Sequence, residues 1–240
     1  MKFTKRLFTL MMLASTLISM AQWQQKGNAL LGSGSGQWMG SYVAISGNGQ
    51  RVATASEGGS YGKIQVFEFI NNSWQQVGLD LQGENSGDEA RVVSMSEDGN
   101  TIAIGAPNND ANTITECGHL RIYRYNETQW VQLGTDIDGT LAQDYLGSSV
   151  SLSADGNTVA VGAPYSDLVI PNGGMVKVFY YDENVWQLKG TALGGADTNL
   201  QFGTSVHLSD DGSTLAVGST SNDAQTLGKV YIFQYNNSLW

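Results

Sequence analysis

Residues Leu146–Gly190 read LGSSVSLSADGNTVAVGAPYSDLVIPNGGMVKVFYYDENVWQLKG, and this stretch decides the fold. It holds four short apolar runs separated by turn residues. Ser148–Ser153 alternates, and Thr158–Val161 is β-branched. Met175–Tyr181 is rich in Val and aromatics, and Val185–Leu188 closes the unit before Gly190. The first two runs are joined by Ala154-Asp155-Gly156-Asn157, a turn signal because Gly accepts positive φ and Asp bonds back to the nearby backbone. A Gly/Pro loop separates the second and third runs, and Asp182-Glu183-Asn184 turns the chain into the fourth. Four strands in this order predict an antiparallel meander.

Working outward, the rest of the chain after residue 21 repeats this unit. The first turn recurs as Ser46-Gly47-Asn48-Gly49, Ser96-Glu97-Asp98-Gly99 and Ser209-Asp210-Asp211-Gly212, with its last glycines (49, 99, 156, 212) spaced by 50, 57 and 56 residues. A second anchor, Trp-x3-Gly-x2-(Leu/Ile)-x-Gly, starts at Trp23, Trp74, Trp130 and Trp186, and Trp240 falls on the same beat. Four strands in a period of this length mark the blade of a β-propeller. The fold class is therefore all-β, a propeller of four-stranded antiparallel blades at about 41–78, 92–134, 147–190 and 203–240. Residues 22–27 read as a lone fourth strand without its first three.

The third strands predict how blades pack. Ile64–Phe69, Leu120–Tyr125, Val176–Tyr181 and Val230–Tyr235 place aliphatics on one face and aromatics on the other, because successive side chains alternate. A sheet apolar on both faces must be covered on both, and a radial stack does that. The tryptophans are accordingly read as core, ahead of sugar-stacking platforms.

Residues 1–21 read as a signal peptide. Lys2, Lys5 and Arg6 precede the apolar Leu7–Ile18, and Ser19-Met20-Ala21 is a small-x-small cleavage site. The run is shorter than the roughly 20 residues that span a bilayer. The expected location is secreted or at the cell surface, with no membrane span. Losing that segment takes the formal charge from −10 to −13, with 9 basic against 22 acidic residues. Such a surface disfavours nucleic acid and anionic membranes as partners. The single Cys117 has no internal disulfide partner and stands in no catalytic motif.

Phe202-Gly203, Leu146-Gly147 and Met39-Gly40 open blades, and Gly105-Ala106-Pro107 and Gly162-Ala163-Pro164 end second strands. The pattern (Phe/Leu)-Gly-x-x-Val … Val-Gly-Ala-Pro … Gly-x-Val-x-Val-Phe resembles the FG-GAP repeat, which builds the propeller of integrin α subunits and of bacterial secreted surface proteins. The resemblance covers four copies. It implies a binding or adhesion module, and rings of about seven blades in full members, within the propeller range of roughly four to eight. Against that number, four blades make an incomplete ring, open at both ends; the alternative is a tight four-bladed ring in which Trp23–Gly27 completes the last blade. The departures are Glu89-Ala90 in place of Phe-Gly, and Gly218-Ser219-Thr220 in place of Gly-Ala-Pro. Calcium-binding members carry an Asp-x-Asp-x-Asp-Gly loop between the first two strands, where this chain has Ser153-Ala154-Asp155-Gly156 with one Asp; only Asp210-Asp211 and Glu97-Asp98 offer two carboxylates. Calcium needs six to eight oxygens, so these read as plain hairpin turns. No cofactor and no dedicated metal ligands are expected, calcium binding being weak. The turn is also similar to that of WD repeats, from which the longer period and the missing Trp-Asp dipeptide separate it.

No nucleophile elbow, P-loop, Cys/His cluster or metalloprotease motif is present. His119 aligns with Lys63, Met175 and Lys229, a position that accepts anything, and His207 lies in a first strand. The sequons at Asn71, Asn126 and Asn236 fall on the third turn of each blade and read as turns. In a meander the loops after strands two and four emerge on one face. That face carries Asp80, Asp88, Asp110, Asp136, Asp138, Asp144, Asp167, Asp197 and Asp223, together with Glu57, Glu84, Glu89 and Glu116. It is the candidate binding face for a protein or glycan ligand, the plainer reading being a solvated acidic rim. The leading expectation is a non-catalytic binding module. The alternatives are a carbohydrate-active enzyme using a carboxylate pair and a structural fragment with no site of its own.

Overall fold

The computed structural model describes residues 23–58, 61–111, 113–221 and 227–240, which form strands and no helix. Residues 1–21, expected as a signal peptide, together with Gln22 and Asp223, lie outside the described residues. The first blade holds β1 (Met39–Ile45), β2 (Arg51–Ser56), β3 (Lys63–Ile70), β4 (Ser73–Gln76) and β5 (Leu81–Gln82). The second holds β6 (Val92–Met95), β7 (Thr101–Ala106), β8 (His119–Tyr125), β9 (Trp130–Gln132) and β10 (Ile137–Asp138). The third holds β11 (Ser149–Leu152), β12 (Thr158–Ala163), β13 (Met175–Asp182), β14 (Val185–Leu188) and β15 (Leu193–Gly194). The fourth holds β16 (Phe202–Leu208), β17 (Thr214–Ser219) and β18 (Lys229–Gln234).

Each sheet is an antiparallel meander. In the first three, the outer strand comes in two pieces on one edge. β3 pairs β4 at Phe67↔Gln76 and β5 at Lys63↔Gln82, and the residues between them bulge outward. The fourth sheet has three strands plus a bridge, Asn236↔Leu239, that leads to Trp240.

The turn after each first strand is built identically. Ser46, Ser96, Ser153 and Ser209 donate their hydroxyls to Asn48, Asp98, Asp155 and Asp211. Each serine oxygen also accepts the amide of the residue five positions on. Gly49, Gly99, Gly156 and Gly212 close these turns at φ 63° to 72°, which explains their strict period. A relay of backbone bonds joins the turns across blades: Gly47 N–H to Glu97 O (2.8 Å), Glu97 N–H to Ala154 O (2.9 Å), and Ala154 N–H to Asp210 O (2.9 Å). In the third turn, Asn71-Asn72, Glu183-Asn184 and Asn237-Ser238 both take positive φ, the type I′ hairpin geometry that favours Asn.

The two-faced third strands pack as their alternation requires. Ala53, Ala55, Ile64 and Val66 of the first blade bury against Ile102, Ile104, Tyr123, Tyr125 and Trp130 of the second. Leu120 and Ile122 then meet Val159, Val161, Phe179, Tyr181 and Trp186. Val176 and Val178 meet Leu215, Val217, Tyr231, Phe233 and Trp240. So the aliphatic face of one blade receives the aromatic face of the next.

The Trp-x3-Gly anchor staples these seams. Trp74, Trp130, Trp186 and Trp240 donate their indole N–H to the carbonyls of Lys26, Val77, Leu133 and Lys189. Each of those residues precedes the anchor glycine of the preceding repeat. The indole lies over that glycine so closely that a Cβ on Gly78 would stand 2.7 Å from Trp130 Cδ1, and one on Gly134 2.8 Å from Trp186 Cδ1. The glycine is required by its neighbour's tryptophan.

The arc is open. Inner strands β1, β6, β11 and β16 line one concave channel. Ile232 on the last blade and Val43 on the first are each 67% exposed. The segment expected as a lone fourth strand is unpaired over its described residues. Trp23 is fully exposed, and Gly27 seats Phe69 and Trp74 of the first blade, with no bond to β18.

Candidate functional site

The loop after each second strand meets the loop leaving the same blade's outer strand, where the chain crosses to the next blade. Tyr61 O accepts Gly83 and Ala90 N–H; Glu116 and Cys117 carbonyls accept Tyr145 and Leu146 N–H; Gly173 O accepts Phe202 N–H. Parallel bridges Gly118↔Leu146 and Gly174↔Phe202 fix the register. These bonds make the two loop sets one surface, as the meander implies.

The acids expected on that surface have separate local tasks. Asp80 sits in the outer-strand bulge and accepts from Lys63 (3.2 Å), Gln65 (2.9 Å) and Gln76 (2.7 Å). Burial works against its charge, but these bonds prevail and hold its pKa below the usual value. Asp88 is buried and takes Asn85 N–H at 2.6 Å. Asp144 is buried, and burial raises its pKa. Asp110 and Asp167 are exposed and close their own loops, accepting the amides of Glu116 (2.7 Å) and Asn172 (2.6 Å). Asp197 is exposed and pairs with Lys229 at 2.7 Å. Among the described residues, Asp136 and Asp138 come together with Glu84 around one side chain.

That trio surrounds His119 at the seam between the first two blades. Asp138 lies directly opposite His119 in the β8–β10 pair, so the two side chains share a face. His119 Nδ1 is 4.0 Å from both Glu84 Oε2 and Asp136 Oδ2. Arg121, next on the same face of β8, reaches Glu84 Oε1 at 3.5 Å and donates to Gln82 O at 2.8 Å. Burial, then the Arg121 charge, pushes the His119 pKa down to about 4 despite Asp136 and Asp88. Burial, then Asp136 and Glu84, raises that of Asp138. The sequence does not mark His119, since Lys63, Met175 and Lys229 hold its place in the other blades and the position reads as one that accepts anything.

A cleft of about 400 Å³ opens on the same face between the second and third blades, lined by Arg91, Asn108, Gln143, Tyr145, Ser148, Tyr165 and Asn172. Among the described residues its lining carries no carboxylate. Tyr145 adopts φ 54°, a left-handed backbone that costs a bulky residue about 1–2 kcal/mol. Its ring meets Tyr165 edge-on at 5.5 Å, and its hydroxyl donates to Glu116 Oε2 at 2.7 Å, a bond that pushes its pKa up to about 12. Glu89 Oε2 anchors Arg91 (3.1 Å) and Asn108 (3.0 Å) from behind. A larger cleft, about 530 Å³, lies on the opposite face among Arg51, Arg124, Asp98 and Asp155. Its groups already satisfy one another: Arg124 bonds Thr101 and Asn157, and both Asp carboxylates are held inside their turns. The smaller cleft is the better candidate.

No helix among the described residues is long and apolar enough to cross a membrane. No protein-family model and no curated protein matches the chain. Solved structures do. A 6-phosphogluconolactonase candidate from Bacteroides uniformis superposes with TM-score 0.54 at 18% identity, over 80% of this chain and 52% of that one. The hydrazine synthase of Kuenenia stuttgartiensis gives 0.52 at 12%, over 88% and 49%. The β-propeller domain of Myceliophthora thermophila Cps50 (Swd1) gives 0.53 at 10%, over 81% and 53%. The chain spans about half the length of each. At these identities the likeness is one of fold, and it agrees with the stacked meanders: the chain is all-β, a β-propeller of four-stranded antiparallel blades.

Proposed function

We propose that the protein is an exported, FG-GAP-type binding module without catalytic activity of its own. It takes a glycan or protein ligand in the cleft between the second and third blades. The observation that carries this reading is Tyr145. Its left-handed backbone recurs at Trp38, Glu89 and Gln201, in the same place of the other repeats, and so belongs to the repeat; what is particular to this one is the side chain it carries. Here it sets a ring beside Tyr165 at the mouth of a cleft that also offers Arg91, Asn108, Gln143 and Asn172 as fixed donors and acceptors. Amphipathic rings flanked by amide and guanidinium groups suit hydroxyl-rich or peptide surfaces.

The test is a panel of glycans and surface proteins screened against the purified protein and its Tyr165→Ala variant. Tyr165 is exposed, so the variant should fold normally and lose about tenfold in affinity, the loss of roughly 1.4 kcal/mol of contact. A ligand whose binding ignores Tyr165 and Arg91 would refute the cleft. Turnover of a bound polysaccharide would replace this reading with the carbohydrate-active enzyme.

A further inference from the structure

The first residue of each third strand fills one position at the loop-rich end of its blade, and Lys63, His119, Met175 and Lys229 hold it in turn. In the first blade Lys63 Nζ bonds Asp80 Oδ2 of its own outer strand at 3.2 Å, with Ser33 Oγ of the preceding loop at 3.5 Å. In the fourth, Lys229 Nζ meets Asp197 Oδ2 of the preceding loop at 2.7 Å. Where a lysine holds the position, its ammonium meets one carboxylate, from its own outer strand in the first blade and from the preceding loop in the fourth.

The second blade has a carboxylate in both places and an imidazole where the lysines stand. Asp136 follows Trp130 by the same six residues that separate Asp80 from Trp74, and Glu84 follows Gly83 as Ser33 follows Gly32. The residue between them is an imidazole only 1% exposed, with neither ring nitrogen hydrogen-bonded among the described residues. Leaving such a polar group buried without a partner is costly, about 1–3 kcal/mol. Its Nδ1 faces Glu84 Oε2 and Asp136 Oδ2 at 4.0 Å, too far for a hydrogen bond, and one donor atom from each of the three residues lies within 4.8 Å of the others.

We propose that Glu84, His119 and Asp136 bind a divalent transition-metal ion, of which Zn²⁺ is the type, at the seam between the first and second blades. The ion stands where the Lys63 ammonium stands one blade earlier. One imidazole nitrogen with two carboxylate oxygens suits Zn²⁺ and its first-row neighbours, whereas Ca²⁺ calls for six to eight oxygens. Ligand atoms about 2.1 Å from a tetrahedral ion stand about 3.4 Å apart, so binding draws each carboxylate about half an ångström toward Nδ1 and closes the widest donor pair by up to about 1.4 Å. Glu84 lies on a loop with its side chain 43% exposed, while the backbone of His119 is held between β7 and β10. Arg121 grips the other oxygen of Glu84 and orients it, and Asp138 stands by as a further donor. This inference does not rest on the cleft of the preceding section.

The test strips the purified protein with a chelator, then titrates Zn²⁺ by calorimetry and Co²⁺ by visible absorption. We expect one equivalent per chain, and d–d bands of a four- or five-coordinate cobalt centre. His119→Ala and Asp136→Asn should each weaken binding at least tenfold. His119→Lys recreates the Lys63–Asp80 pair and should keep the wild-type circular dichroism while taking up no Co²⁺, which separates lost binding from lost folding. Asp98→Asn, on the opposite face, should leave the titration unchanged. No saturable uptake by the wild type, or cobalt bands that survive in folded His119→Lys, would overturn the proposal. The glycan panel reads a different seam, so either result stands without the other.

Discussion

Trp130 and Trp23 occupy the same place in the repeat, yet the structure assigns them opposite consequences. Trp130 is buried, lies over Gly78 and donates to the carbonyl of buried Val77 at 2.9 Å. Trp130→Phe removes that donor and leaves the carbonyl without it, at about 1–3 kcal/mol. The smaller ring also forfeits contact at the seam, worth about another 1 kcal/mol. The sum, about 2–4 kcal/mol, is a large share of the roughly 5–15 kcal/mol that holds a domain folded. Trp23 is fully exposed, so Trp23→Phe should fall within about 0.5 kcal/mol of wild type. Urea unfolding of both variants, followed by far-ultraviolet circular dichroism, measures the contrast. Equal shifts in midpoint would refute the argument that the indole works through its neighbour's carbonyl.

Three further predictions follow the same logic. Gly78→Ala, at φ 74° with its new Cβ 2.7 Å from Trp130, should cost at least the 1–2 kcal/mol of left-handed backbone, whereas Gly34→Ala, near only the end of Gln37, should be close to neutral in the same urea assay. Ile122→Ala should destabilise by about 2–5 kcal/mol and Ile232→Ala by less than about 0.5, although both hold the same strand position, because only Ile122 is covered by a following blade. Burial favours the neutral forms of Asp98 and Asp155, but bonds from Ser96, Ser153 and the following asparagines outweigh it and lower both pKa values. Their folded values lie below the unfolded value of about 3.9, so their contribution is present above that pH and lost as pH falls through the folded values. Thermal midpoints should therefore drop below about pH 4. Asp155→Asn, which copies Asn48 of the first blade, should fold and make the drop shallower, and an unchanged acid profile would count against this account.

What the sequence made legible was whatever repeats. The Ser-x-Asp-Gly turns, the alternation of Ile64-Gln65-Val66-Phe67 and the Trp-x3-Gly beat each follow from local chemistry, and each stands where expected. The reason for that glycine was hidden, since the indole excluding its side chain comes from the next repeat, about fifty residues on. The loop face was legible as a face, because meander geometry sends both loop sets to one side. Its acids were not separable, because turn closure, ion pairing with Lys63 or Lys229, and burial all draw on the same residue type. His119 is not marked in the sequence because its meaning lies in a comparison between blades: an imidazole between two carboxylates, at a place where the first and fourth blades set an ammonium on one. The left-handed backbone of Tyr145 recurs at Trp38, Glu89 and Gln201, four residue types that share a place in the repeat and no side-chain chemistry.

The backbone relay through the four serine turns gives the molecule a grammar of neighbours. At the turn end each blade hands an amide hydrogen to the blade after it, and at the outer edge each tryptophan hands one to the blade before it. Every seam is therefore a closed exchange between two adjacent units, and no bond of either kind skips a unit. A linear lattice of this sort has a stability that adds seam by seam, and it loosens from its free ends inward. Asp210, last in the series, passes its own amide to no such successor among the described residues. Along the row Gly47, Glu97, Ala154 and Asp210, then, the shielding of the amide ends with the stack itself.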